Sequence, residues 1–219
     1  MRSYADYKGP MNLKLTYFNF PFWRAEASRI ALQLAEIPFE DVRPTREEFI
    51  KMKQTGELPY DQLPILEVEG KIIAQSVSIA RFCGKISGLY PSNDDVDAAR
   101  VDELMETANQ ITELFRSSMR EKDQTKKLAL RKNLAESELP KWLSFLNARL
   151  SVESGDFFVA ERLTIADLVI WRLCSWLSGG ILDGIPAAIL NEHRALKRHH
   201  EMIDSIPQIR EHMKTKYNQ

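Results

Sequence analysis

Cysteine is scarce: the chain of 219 residues has two, Cys83 and Cys174, far apart. They form no CxxC and no metal-ligand spacing, and although two thiols could pair, no disulfide framework is implied. Such sparing use fits a reducing compartment, and the cytoplasm is the expected location. Long apolar runs are also missing. No stretch approaches the ~18 residues that a membrane-spanning helix needs. Charge of one sign is absent too. Lys and Arg total 30 against 31 Asp and Glu, a net charge of −1, so the overall balance favours neither nucleic acid nor an acidic membrane. The densest basic cluster, Lys126, Lys127, Arg131 and Lys132, has helical spacing and reads as a solvated helix face. Phosphate-cradling and nucleophile-elbow signatures (GxGxxG, GxxxxGK, GxSxG) do not occur. His193, His199, His200 and His212 all fall near the end of the chain, away from acids or cysteines at ligand spacing, so no metal site is expected. No internal repeat or low-complexity segment stands out.

What is present divides into two halves. Apolar alternation with β-branched and aromatic residues predicts a strand over 13–18. Ala27, Ile30, Ala31 and Leu34 recur at spacings of three and four, predicting a helix over 24–36 that ends before Pro38. A short extended run follows at 39–43, then a helix over 46–54. Residues 65–68 and 72–74 read as strands around the turn signal Glu69-Gly70, and 76–87 as a helix. The early βαβ unit predicts parallel pairing and the late hairpin antiparallel pairing, which gives a small mixed four-stranded sheet. That is a thioredoxin-like layout without the redox CxxC. If it handles sulfur chemistry, the sulfur arrives on the ligand. Residues 89–95, with Pro91, Ser92 and Asn93, read as a linker. Beyond them only helical periodicity is found, over 96–120, 125–150, 164–178 and 192–205. The expected architecture is thus α/β plus all-α: a thioredoxin-like domain over 11–88 and an all-helical domain over 96–219. The polar residues 1–10 contain Asp6 and do not read as a signal peptide. They are a tail, an appended remnant, or residues ahead of an alternative start at Met11.

Four segments in this order resemble the glutathione transferase superfamily: Lys14-Leu-Thr-Tyr17-Phe-Asn with Arg24-Ala-Glu26; Gln62-Leu63-Pro64-Ile65-Leu66; Gln75-Ser76 with Ile79-Ala80-Arg81; and Leu163-Thr164-Ile-Ala-Asp167. The likeness covers nearly the whole chain from Met11. The first two pieces look most like the sigma class, which includes glutathione-dependent prostaglandin D synthases and general detoxifying transferases. The resemblance implies conjugation of glutathione to hydrophobic electrophiles, with glutathione as co-substrate and no metal. Its alternatives are an isomerase of prostaglandin D synthase type and a non-catalytic structural or regulatory protein of the same fold.

Tyr17, at the C-terminal end of the first strand, is then the residue that activates the thiol. Open α/β sheets present ligand sites at such strand ends. Free thiols near pKa 8.5 are only a few per cent ionised at neutral pH. A phenol that donates to the sulfur favours the thiolate, and a charge-assisted bond of about 1.5–3 kcal/mol is the right size for a shift of one to two pKa units. The resemblance places Arg24 near that thiolate. It implies that the N–H and C=O of Leu63, before a cis Pro64, pair with the cysteinyl part of glutathione, with Gln62 beside them. Gln75 and Ser76 open a helix whose N-terminus suits the γ-glutamyl carboxylate, although a serine there can also simply cap the helix. Phe49 and Lys53 match positions at the glycine end, where tryptophan often replaces the phenylalanine. An acidic residue, Glu106 first and Asp102 second, is expected to reach the glutathione amino group of a neighbouring subunit in a homodimer, with Tyr60 as an interface aromatic.

The segment 19–23 departs from the family, being one residue longer and lacking the usual glycine. Phe18, Phe20, Phe22 and Trp23 are expected to wall the hydrophobic pocket; core packing is the other reading of the last three. Asp61 stands where relatives usually have glycine, and aspartate tolerates the left-handed conformation better than most residues. Thr164 and Asp167 are expected to form a capping box, a structural feature.

Overall fold

The computed structural model describes residues 11–152 and 156–217, so the expected tail at 1–10 lies outside the described residues. Strand β1 (Leu13–Thr16) is followed by α1 (Trp23–Leu34), β2 (Glu40–Val42), α2 (Arg46–Gln54), the hairpin β3 (Ile65–Val68) and β4 (Lys71–Ala74), and α3 (Ser76–Ile86). The sheet order is β2-β1-β3-β4. β1 runs parallel to β2 and antiparallel to β3, and β3 antiparallel to β4, as the βαβ and hairpin signals imply. Seven α-helices follow among the described residues: α4 (Asp95–Leu114), α5 (Arg116–Arg120), α6 (Gln124–Glu136), α7 (Glu138–Val152), α8 (Ile165–Ser178), α9 (Arg194–Ser205) and α10 (Pro207–Tyr217). The fold is a thioredoxin-like sheet domain carrying a helical domain.

Alternation in β1 sends Leu13 and Leu15 into one core layer with Leu32, Leu66, Ile79 and Cys83. A second, larger core joins the two halves of the chain. Its axis is α8, buried at every residue except Ser175 and Ser178, as befits a helix that is apolar nearly all round. Against it lies α1, buried except at Arg24, Gln33 and Leu34. The approach of α3 to the start of α8 is close enough that a Cβ on Gly84 would sit 2.9 Å from two side-chain carbons of Ile165. Ile165 also donates its N–H to the carbonyl of Leu89 at 2.7 Å.

Two long helical segments expected from periodicity are divided. The run at 125–150 breaks at Ser137, because a ring at Pro140 clashes with the carbonyl four residues earlier, and Pro140 instead sits in the first turn of α7. The run at 96–120 breaks at Phe115, which is fully buried with its ring 4.7 Å from that of Trp176. Helix α10 was not expected. It begins at a proline, the residue best preset for a first helical position, and buries Ile209, His212 and Met213.

Candidate glutathione site

Tyr17 follows directly on β1. Its N–H donates to the carbonyl of Val42 at 3.0 Å, and its own carbonyl accepts from Nη2 of Arg29 at 3.2 Å. Both bonds fix the backbone from which the phenol projects. The side chain is 7% exposed. Burial pushes its hydroxyl up to about 12, against the opposing pull of the positive charges of Arg24 and Arg29. The group is therefore a neutral O–H donor at physiological pH.

Beside it lie two connected clefts that share Arg24, Gln62 and Leu63. The narrower is completed by Tyr60, Pro64, Ala74, Gln75 and Ser76. The Leu63–Pro64 bond is cis. Gln75 occupies the N-cap of α3 at φ 72° and makes no side-chain cap bond, and the first turn of α3 has no acidic residue. Ser76 is thus the first helical residue and not the cap, and the N-terminal N–H groups of α3 open on the cleft. Asp61 adopts φ 54°, a left-handed conformation that aspartate tolerates better than most residues.

The wider cleft, about 310 Å³, runs between α2 and the α4–α5 corner. Phe18 and Phe49 meet edge to face at 5.2 Å on one side. Lys53 Nζ lies 5.8 Å from the Phe49 ring and 3.9 Å from the Asp61 carboxylate. The opposite wall carries Glu113, Arg116, Met119 and Arg120, which sequence reasoning did not single out. Helix α2, which buries none of its residues, is held by a capping box in which Thr45 and Glu48 exchange bonds of 2.7 and 3.2 Å.

Tyr17 itself is part of neither wall. Phe18 and Arg24 are the residues that connect it to the clefts: the Phe18 ring is 5.6 Å from the Tyr17 ring, and the Arg24 charge acts on its hydroxyl. Arg24 also reaches Glu113 at 3.4 Å.

Within the segment 19–23, core packing is the reading that fits Phe22 and Trp23. Phe22 and Trp23 are 5% and 1% exposed and belong to the core between the halves of the chain. Phe22 meets Trp176 at 4.9 Å, and the Trp23 indole donates to the Thr112 hydroxyl at 2.9 Å. The carbonyl of Pro21 accepts two bonds from Arg172, at 2.6 and 3.1 Å. Phe20 is half-exposed and stacks on Phe22 at 5.8 Å. The loop over 19–23 is thus pinned to α8, and Phe22 and Trp23 serve packing because the strongly apolar α8 offers a buried partner surface.

Of the acidic pair on α4, Asp102 is engaged within its own chain by Arg81 at 2.8 Å, while Glu106 points outward, exposed. Tyr60 is 61% exposed. The capping box of α8 forms. Asp167 accepts from the N–H of Thr164 at 2.7 Å and of Phe158 at 3.1 Å, and pairs with His199 at 2.9 Å. Three of the four histidines bond side chains on neighbouring helices: His199 pairs with Asp167, His200 with Ser175 at 2.8 Å, and His212 with Glu26 at 2.6 Å. Among the described residues no group of three His, Cys, Asp or Glu is arranged to hold a metal ion, and no helix is long and apolar enough to cross a membrane. Both thiols are buried, and burial pushes each up to about 12, so neither supplies a nucleophile. A hollow of about 410 Å³ at the far end of β1, between residues 11–13 and 38–40, shares none of the cleft residues.

A further set of residues escaped sequence reasoning. Glu26 and Arg29, three apart on α1, form a fully buried pair at 3.0 Å. Tyr217 donates to Glu26 at 2.6 Å, and Arg29 donates to Tyr217 at 3.2 Å and to Asp41 at 2.9 Å. Gln33 and Glu26 both engage the ring of His212. The i, i+3 spacing of Glu26 and Arg29 was the available signal for the pair; no local signal marks the partners from α10.

A thioredoxin-like sheet, a helical second half and a cleft at the cis-proline edge define a glutathione-transferase type of protein, and comparison with known proteins agrees. The model of the glutathione S-transferase N-terminal domain matches residues 13–84, and that of the C-terminal domain residues 109–216. Glutathione S-transferase 4 of Caenorhabditis elegans is 31% identical over 94% of this chain and 97% of its own. Hematopoietic prostaglandin D synthase of Gallus gallus is 35% identical over 75% and 78%. Among solved structures, prostaglandin synthase D of Nilaparvata lugens superimposes with a TM-score of 0.81 at 27% identity, covering 93% of this chain and 97% of that one. A Nu-class enzyme of Haemonchus contortus gives 0.77 at 29%, covering 94% and 97%. The chain belongs to the glutathione S-transferase family and is an enzyme of transferase type.

Proposed function

We propose that this chain conjugates the glutathione thiolate to hydrophobic electrophiles, with Tyr17 as the activating residue, in the manner of a sigma-like detoxifying enzyme of the cytoplasm. The observation that carries the reading is the convergence of Arg24, Gln62, Leu63, Gln75 and Ser76 on one cleft beside a neutral, buried phenol. Glutathione lies along this edge with its cysteinyl amide on the main chain of Leu63 and its γ-glutamyl carboxylate at the open N-terminus of α3. Its glycine end lies toward Phe49 and Lys53. The domain over 11–88 holds the peptide, and the helical part, reached through 89–95, supplies the wall for the electrophile. A second subunit contributes Glu106 to the amino group, with Tyr60 at the dimer contact; Asp102 is occupied by Arg81 and serves less well.

The chemistry is electrostatic. A neutral hydroxyl that donates to the sulfur stabilises the thiolate and leaves the thiol proton to water. One charge-assisted bond of about 1.5–3 kcal/mol lowers the thiol pKa by about one to two units. The thiolate then attacks the electrophilic carbon, and Arg24 adds positive charge near the sulfur. Retention on immobilised glutathione together with conjugation of chlorodinitrobenzene tests this reading. Retention without turnover would favour a non-catalytic role. The names of the prostaglandin synthase relatives make the isomerase the second reading, and product analysis with prostaglandin H2 separates it.

A further inference from the structure

Two main-chain bonds direct the Tyr17 phenol, and they come from two different elements. The Tyr17 N–H donates to the Val42 carbonyl on β2, and the Tyr17 carbonyl accepts from Arg29 on α1. One side chain of α10 touches both sources. The Tyr217 hydroxyl donates to Glu26 at 2.6 Å and accepts from Nη1 of Arg29 at 3.2 Å. Its ring carries the Arg43 guanidinium at 4.9 Å, and Arg43 in turn donates to Asp41, the neighbour of Val42, at 2.9 Å. The Arg29 guanidinium is a rigid planar fork, so the acceptors on one edge set the direction of the other. Nε is held by Asp41 at 2.9 Å and Nη1 by Glu26 at 3.0 Å and by Tyr217, which leaves Nη2 aimed at Tyr17. Burial and the Glu26 carboxylate push the Tyr217 hydroxyl well up, so it keeps its proton and remains a donor. Tyr217, Glu26 and Arg29 line neither cleft, so none of them meets the substrates there.

We propose that Tyr217 is a positioning residue for thiol activation: helix α10, through Glu26 and Arg29, sets the direction in which the Tyr17 hydroxyl meets the glutathione sulfur. The inference rests on the conjugation reading above and adds to it a residue that never touches glutathione. A hydrogen bond weakens steeply as its angle closes, and a misplacement of about 1 Å at a reacting centre costs about 100-fold. Without the Tyr217 hydroxyl, the Glu26 carboxylate loses a donor and the Arg29 fork loses an acceptor on the edge that aims it. The fork then turns, and the Tyr17 main chain follows. The loss is a fraction of the full misplacement, because Val42 and Asp41 still hold their bonds to Tyr17 and Arg29.

Tyr217→Phe tests this, because it keeps the ring and removes one hydroxyl. The readouts are the pKa of the thiol of bound glutathione, from thiolate absorbance, and kcat and KM with chlorodinitrobenzene, all well below the melting temperature of the variant. The thiol pKa is expected to rise by about half a unit to one unit and kcat at neutral pH to fall about twofold to tenfold, with KM for glutathione within about twofold of the unaltered chain. In a Tyr17→Phe chain, adding Tyr217→Phe is expected to move neither readout further, because the group it positions is gone. If Tyr217→Phe does not fold, His212→Phe takes its place with the same expectation, since it removes the other α10 donor to Glu26. A thiol pKa left in place overturns the proposal even where the variant melts lower, because the cluster then serves stability alone. An equal fall in rate in the Tyr17→Phe background also overturns it, because the effect then bypasses the phenol. If the unaltered chain does not retain glutathione, or its bound thiol titrates at the free value of about 8.5, the conjugation reading itself has failed and the positioning role falls with it.

Discussion

Arg29 holds Tyr17 by its backbone: Nη2 of the buried guanidinium donates to the Tyr17 carbonyl oxygen at 3.2 Å. The same guanidinium pairs with Glu26 at 3.0 Å and Asp41 at 2.9 Å, and Glu26 is tied to His212 and Tyr217 of α10. The last helix of the chain is thereby joined to the strand end that bears the reactive phenol. Removing one partner of a buried ion pair leaves the other charge uncompensated, at a cost of about 3–5 kcal/mol. Arg29→Met is thus expected to lower the melting temperature strongly, while the milder Tyr217→Phe loses the hydrogen bonds and costs about 1–3 kcal/mol. Thermal unfolding of both variants checks the order.

The same pair sets a pH dependence. Burial pushes the Glu26 carboxyl up, but the His212 bond, the Arg29 charge and the Tyr217 bond together hold it below its ordinary value. A carboxylate depressed in the folded state contributes stability that is present above its unfolded pKa of about 4.3 and is lost as pH falls through the lower folded value. Stability curves of wild type and Glu26→Gln are therefore expected to converge below about pH 4 and to separate above it. Curves that stay parallel across that range count against the network.

Phe22 distinguishes packing from catalysis. Its ring is 5% exposed and lies 4.9 Å from Trp176. Truncation of a buried phenylalanine costs about 3–5 kcal/mol. Phe22→Ala is expected to lose stability of that order, seen as a fall in the denaturant midpoint, because it opens the core where α8 packs against the sheet domain. A variant of unchanged stability would return Phe22 to the substrate pocket.

Gly84 makes a sharper packing claim. A Cβ there meets Cβ and Cγ2 of Ile165 at 2.9 Å. Overpacking of this kind costs about 1–3 kcal/mol, although alanine is the better helix former. Gly84→Ala is expected to destabilise, and its combination with Ile165→Ala, which removes the crowding Cγ2, to cost less than the sum of the two single substitutions. Denaturant titration of the three proteins measures it.

How much of this was legible in the sequence depends on how local each signal is. Strand alternation at Leu13 and Leu15, the Glu69-Gly70 turn and the alanine-rich face of α1 are local patterns, and they yielded the sheet and its pairing. The left-handed Asp61 followed from the tolerance of aspartate for that conformation. The break at Phe115 was invisible, because nothing in a helix-compatible run announces that its phenylalanine will be buried against Trp176, sixty residues on. The arginine wall of the cleft depends on that break. Phe22 and Trp23 read equally as pocket or core, and only the position of α8 decides. The Glu26–Arg29–Tyr217 cluster joins residues nearly two hundred positions apart, which no local period encodes.

The most direct measurement is the pKa of the thiol of bound glutathione, followed by the ultraviolet absorbance of the thiolate across a pH series. With a neutral Tyr17 hydroxyl donating to the sulfur, the bound thiol is expected to titrate about one to two units below its free value of about 8.5. Conjugation is expected to rise with pH through that same midpoint. In Tyr17→Phe the midpoint should return to about 8.5 or above, and the rate at neutral pH should fall about tenfold to a thousandfold. A Tyr17→Phe protein that binds glutathione with the thiol pKa and the rate of the unaltered chain would contradict the account.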